Sequence, residues 1–168
     1  DAVVLTHAHL DHSGYLPRLV KQGFVGPVWC TAATRDLAGI MLPDSAYLQE
    51  EDARYANKRG FSKHNPALPL YTQEDAQAAL ALFQPVVFDQ GVELGGLRIR
   101  LSPVGHMLGA ACVRVEGDGT DVVFSGDVGR PNDALMRPPA PLAPARNLVV
   151  ESTYGGRRHE GLDPETQL

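Results

Sequence analysis

The sequence predicts an α/β layered fold, and three observations point to it. Short apolar runs alternate with helical stretches in the first half, strand patterns dominate the second half, and glycines and prolines punctuate both. The chain has 168 residues and is 43% apolar, enough to bury a core as one domain without staples.

Residues 2–6 read as a short strand, apolar enough to be buried on both faces. It runs into His7-Ala8-His9-Leu10-Asp11-His12. Ser13 or Asp11 is expected to cap a helix reaching about residue 22, with Leu16, Leu19 and Val20 on one face. Gly23 and Gly26 end it. Val28 to Cys30 form the next strand, and Thr31 caps a long helical region that Pro43 kinks or splits. Its second half carries Glu50, Glu51, Asp52, Arg54, Lys58 and Arg59, a solvated face, and Gly60 closes it.

Residues 61–71, with Pro66 and Pro69, read as a loop. Thr72 and Asp75 form a capping-box start for a helix over 73–83, and Pro85 blocks its extension. Leu97, Ile99 and Leu101 alternate with Arg98 and Arg100, a strand continuing to residue 104. Residues 110–116 and 121–125 form a hairpin across Gly117-Asp118-Gly119. Residues 132–146 are irregular, Leu148 to Glu151 are a last strand, and Gly155-Gly156 turn the chain. The final residues, 163–168, read as the opening turn of a helix. No repeat and no low-complexity tract is present.

The net charge of −5 argues mildly against a dedicated nucleic-acid surface, which usually carries a basic excess. It does not exclude a nuclease, because bound cations stand outside the formal sum. Cys30 and Cys112 are far apart and read as small buried hydrophobes, which suits a reducing cytoplasm. No apolar run approaches membrane-spanning length and no secretion signal is visible, so a cytoplasmic location without membrane contact is expected.

Three of the six histidines fall within residues 7–12, beside an aspartate. Imidazole nitrogens and carboxylate oxygens are zinc's usual non-thiolate ligands. Residues two apart in an extended segment project to the same side, so His7 and His9 can grip one metal. Asp11 and His12 lie past the strand end and can face a second. A lone histidine reads as a solvated or structural residue, but three with an aspartate in six positions do not. His106 stands between Gly105 and the glycine of Met107-Leu108-Gly109, and these glycines are expected to let backbone and metal approach closely. Asp127 ends a strand in Ser125-Gly126-Asp127, where it could bridge two metals. His64 reads as a solvent-facing loop residue, and His159 as an ordinary loop residue after Arg157 and Arg158.

The stretches T-H-A-H-L-D-H (6–12), G-H (105–106) and S-G-D (125–127) resemble the metallo-β-lactamase superfamily, in order and spacing, over nearly the whole chain. The resemblance implies that superfamily's αββα sandwich, present in part. It implies two Zn2+ ions, one on His7, His9 and His106, the other on Asp11 and His12, with Asp127 bridging. Glu151-Ser152-Thr153-Tyr154-Gly155 resembles the entry to the β-CASP branch, whose members are nucleases acting on RNA or DNA. The loop over 65–72 and the acidic helix before it are similar to bacterial β-CASP ribonucleases of RNA processing. This implies a substrate of RNA, single-stranded by preference, cut by a hydroxide held between two zincs. Asp11 and Glu151 are the catalytic candidates: Asp11 to orient the nucleophile, Glu151 to position an acid for the leaving oxygen. Arg157 and Arg158 could contact phosphate.

Residues 1–168 are expected to be one such domain, truncated at both ends, with the β-CASP insert and the C-terminal return absent. The fragment alone is then expected to hold its second metal weakly and to have little activity; a homo-oligomer is compatible with the sequence. Two rival functions share the metal motif: a thioester or lactam hydrolase of the same superfamily, and a non-catalytic subunit of an RNA-processing complex.

Overall fold

A computed structural model describes residues 1–157; Arg158, His159 and the helical turn expected over 163–168 lie outside the described residues. Two sheets form the centre. A three-stranded parallel sheet runs in the order β1-β2-β3, from β1 (Val3–Val4), β2 (Val28–Thr31) and β3 (Phe83–Val86). A five-stranded mixed sheet runs β4-β5-β6-β7-β8, from Gly91–Leu94, Leu97–Pro103, Ala111–Gly117, Thr120–Phe124 and Asn147–Val149.

Alternation of side chains along the strands decides which layer each residue joins. Val3 packs with Val28, Cys30 and Phe83 against the helices. Its neighbour Val4 points the other way, and with Val86 packs on Ile99, Leu101, Ala111 and Val113 of the larger sheet. This makes β1 apolar on both sides, as its sequence requires. The outer face of the larger sheet carries Cys112 and Val123, partly covered by Ala145 of the irregular 132–146 segment. The order is therefore helices, sheet, sheet, then that segment: three layers of an αββα sandwich. Both cysteines are buried and unbonded.

The helical layer consists of α1 (Leu10–Ser13), α2 (Leu16–Lys21), α3 (Ala32–Arg59) and α4 (Gln73–Leu80). Thr31 caps α3 by accepting the Thr34 amide, and Gly60 ends it in the left-handed conformation at φ 68°. Thr34, Ala38, Leu42 and Ala46 form its buried stripe at four-residue spacing. Pro43 lies inside this helix without splitting it. Thr72 and Asp75 close the capping box of α4 in both directions.

Four expectations are corrected. The helix expected from residue 13 is two short helices, and neither Asp11 nor Ser13 caps the first; both lie within it. The N-cap position falls on His9, and the buried Ser13 hydroxyl turns back to the Ala8 and His9 carbonyls at 2.9 and 3.0 Å. The α4 helix stops at Leu80, short of residue 83, because Phe83–Val86 pairs with β2. Pro85 sits in that strand, at the sheet edge where a missing amide leaves no ladder bond broken. Finally, β4 precedes β5 in a hairpin over Gly95-Gly96, a strand too short and mixed to stand out in sequence.

Strand direction gathers the chemistry. β6 is antiparallel to both β5 and β7, and β8 is parallel to β7, so β5, β7 and β8 end at one sheet edge. His106, Asp127 and Glu151 follow those ends. The chain leaving β1 joins them there, where the Ala111 amide donates to the Thr6 carbonyl at 2.9 Å.

Candidate metal centre

Three imidazoles from two distant parts of the chain meet at this edge. His9 Nδ1 lies 3.1 Å from His7 Nε2 and 3.1 Å from His106 Nε2. Asp127 Oδ2 lies 3.6 Å from His7 Nε2 and 3.4 Å from His106 Nε2. One ligand atom from each of His7, His9, His106 and Asp127 falls within 4.8 Å of all the others. Hydrogen bonding does not satisfy this set, since His9 Nδ1 can share a proton with only one of its two neighbours. Three imidazole nitrogens and one carboxylate oxygen converging on a point make a donor set suited to a divalent cation of zinc's type.

Asp127 also faces the other way. Its Oδ1 lies 3.3 Å from His12 Nε2, which is 3.4 Å from Asp11 Oδ2. The carboxylate thus gives one oxygen to the His7, His9 and His106 side and the other to the Asp11 and His12 side. Asp11 is the most exposed of the group, its side chain 78% accessible.

His7 is buried, and that burial, with the repulsion of His12 next, brings its pKa down to about 4. It is therefore neutral at neutral pH, the form in which imidazole binds metals. Its Nδ1 lies 3.1 Å from the Thr6 hydroxyl, which orients the ring.

The supporting contacts were not legible in sequence. Glu151 does not reach the histidine cluster through a hydrogen bond; its carboxylate takes the Val128 amide, and its own amide donates to Ser125 Oγ at 3.0 Å. Holding that bond keeps the Glu151 carboxyl below its ordinary pKa, with help from Thr153. Gly105 and Gly109 admit close protein neighbours: a Cβ on Gly105 would meet the Arg137 carbonyl at 2.3 Å, and one on Gly109 would meet Thr31 Oγ1 and the Thr34 amide nitrogen at 2.5 Å. Thr34 carries no signature beyond being polar, and nothing in the sequence marks Thr6, Ser125 or Thr31 for these contacts, which only their tertiary placement creates. His64 is exposed in its loop, as expected, away from the cluster. Arg157 is exposed, with its amide on the Tyr154 carbonyl at 3.0 Å.

A family model described as the metallo-beta-lactamase superfamily matches residues 1–158. The chain belongs to that superfamily. Among curated proteins, it is similar to the ribonuclease TTHA0252 of Thermus thermophilus, 38% identical over 161 residues, which span 95% of this chain and 33% of that protein. It is similar also to the transcription termination factor FttA of Methanothermobacter thermautotrophicus, 35% identical over 98% of this chain and 24% of that one. The endoribonuclease YSH1 of Eremothecium gossypii is 31% identical over 95% of this chain and 20% of its own length. The chain thus spans a third or less of each of these relatives. Two of the three are ribonucleases by name, as the Glu151 to Gly155 motif led one to expect of the β-CASP branch. Among the described residues, no helix is long and apolar enough to cross a membrane.

Proposed function

We propose that this chain is the metal-binding domain of a zinc-dependent ribonuclease of the β-CASP branch, acting on single-stranded RNA. The carrying observation is the convergence of His7, His9, His106 and Asp127 on one point, with Asp127 turned also toward His12 and Asp11. His7, His9 and His106 would hold one Zn2+, Asp11 and His12 the other, with an Asp127 oxygen on each. Metal ions bound there would lower the pKa of water and neutralise charge on the scissile phosphate.

The chain's own residues supply the rest. Buried His7 stays neutral and keeps its lone pair free. Asp11, exposed beside His12, would orient the attacking water. Glu151 stays ionised and steadies the loop after Asp127, so in this domain it serves as a positioning residue. The relatives' names support RNA as substrate, and the net charge of −5 accords with a site whose attraction for phosphate comes from cations. The protein is proposed to work in the cytoplasm.

The test is cleavage of a labelled single-stranded RNA by the complete protein, with and without chelator, beside a His9→Ala variant. Cleavage lost in chelator, restored by zinc and missing in the variant is expected. Chelator-resistant cleavage by native and variant protein alike would refute the proposal.

A further inference from the structure

The loop carrying His106 leaves β5 after Pro103 and enters β6 at Ala111. Near its far end, the Gly109 carbonyl accepts hydrogen bonds from two hydroxyls, Thr31 Oγ1 at 2.8 Å and Thr34 Oγ1 at 3.0 Å. Both donors are buried and lie 78 and 75 residues earlier in the chain. The two hydroxyl oxygens also lie 3.0 Å apart, so their two protons are shared among the three contacts of one buried cluster.

Helix capping accounts for only part of this. The α3 cap needs the Thr34 amide and a lone pair of Thr31 Oγ1, which meet at 3.2 Å. The Thr34 hydroxyl is not the cap acceptor, although it lies 3.0 Å from Thr31 Oγ1. A threonine inside a helix commonly returns its hydroxyl to a carbonyl of its own helix, but this one reaches across to Gly109. Gly109 has φ +80°, and a Cβ there would meet the Thr34 amide nitrogen at 2.5 Å, so the loop backbone lies directly against the helix start.

Movement at Gly109 would pass to His106. Only Met107 and Leu108 separate them, and the Ala110 amide closes that turn on the Met107 carbonyl at 3.0 Å. Met107 is itself packed into two apolar clusters. At the near end, the Gly105 carbonyl is pressed by Gly129, where a Cβ would meet it at 1.9 Å. The loop is thus held at both ends and has little slack between.

We infer that Thr34, together with Thr31, is a positioning residue for His106: the hydroxyl pair fixes Gly109 and thereby sets where His106 Nε2 stands beside His9 Nδ1. This rests on the metal-centre reading above. Groups that orient metal ligands in this indirect way typically alter metal affinity by tenfold or more when removed.

Zinc affinity of the chain, measured by competition with a chromophoric chelator, tests the inference, with metal-free unfolding followed in parallel. Thr34→Val keeps the shape and the capping amide but removes the hydroxyl; zinc affinity should fall about tenfold. Thr34→Ser restores the hydroxyl and should restore the affinity. Thr31→Asp keeps the cap acceptor, removes the other donor, and should weaken zinc similarly even if Thr34→Val fails to fold. His9→Ala is the reference variant and should lose zinc outright. Native zinc affinity in folded Thr34→Val or in Thr31→Asp, with zinc lost in His9→Ala, would overturn the inference alone. Native affinity in His9→Ala would instead overturn the metal-centre reading beneath it.

Discussion

Glu151 accepts a hydrogen bond at 2.6 Å from the amide of Val128, the residue that follows Asp127. An ionised carboxylate on a backbone amide is one of the stronger hydrogen bonds a protein makes. It joins the ends of β7 and β8 at the point where Asp127 turns toward two groups of ligands.

Removing that carboxylate should therefore act through Asp127. Glu151→Ala is expected to lower zinc affinity about tenfold. Glu151→Gln, which retains an accepting oxygen, should lose less. Isothermal titration with zinc separates the two variants, and equal losses would mean that charge rather than the hydrogen bond matters.

Asp127 faces both ligand groups, and His12 only one. Asp127→Ala should consequently reduce bound metal more than His12→Ala does. Elemental analysis after dialysis against zinc gives the comparison directly. Greater metal loss in His12→Ala would contradict the geometry.

The metal-free chain should lose stability in acid through His7. Its pKa is about 4 in the folded state against an ordinary 6.5. Between those values the unfolded chain takes up a proton that the folded chain refuses, so stability rises with pH across that window. The contribution is fully present above pH 6.5, declines as pH falls toward about 4, and is flat below. Urea midpoints in chelator at stepped pH measure this, and His7→Gln should flatten the slope. Unchanged slope in that variant would remove His7 as the cause.

Leu101 is wholly buried between the sheets, packed among Ile99, Ala111 and Val113. Leu101→Ala should cost about 3 kcal/mol, from lost burial plus the cavity left behind. Urea denaturation of the variant tests it. The substitution lies away from the ligands, so zinc stoichiometry of the folded fraction should stay native.

Much of this molecule was legible from local pattern. The apolar run at Val3 and Val4, the caps at Thr31, Gly60 and Thr72, and the hairpin over residues 117–119 depend on neighbours a few positions away, where periodicity and capping chemistry act. The density of histidine between residues 7 and 12 pointed to metal chemistry for the same reason. Tertiary structure decided the remainder. Phe83–Val86 became a strand despite Pro85 because β2 offered a free edge, a fact no local window contains. The meeting of His106 and Asp127 with His9 follows from β5 and β7 running the same way and from Ala111 tying onto Thr6. The support from Thr34, Ser125 and Glu151 is likewise a matter of partners far along the chain. Residue type supplies the donors and acceptors; only folding, which removes them from water and brings distant partners within hydrogen-bond reach, determines which of them meet.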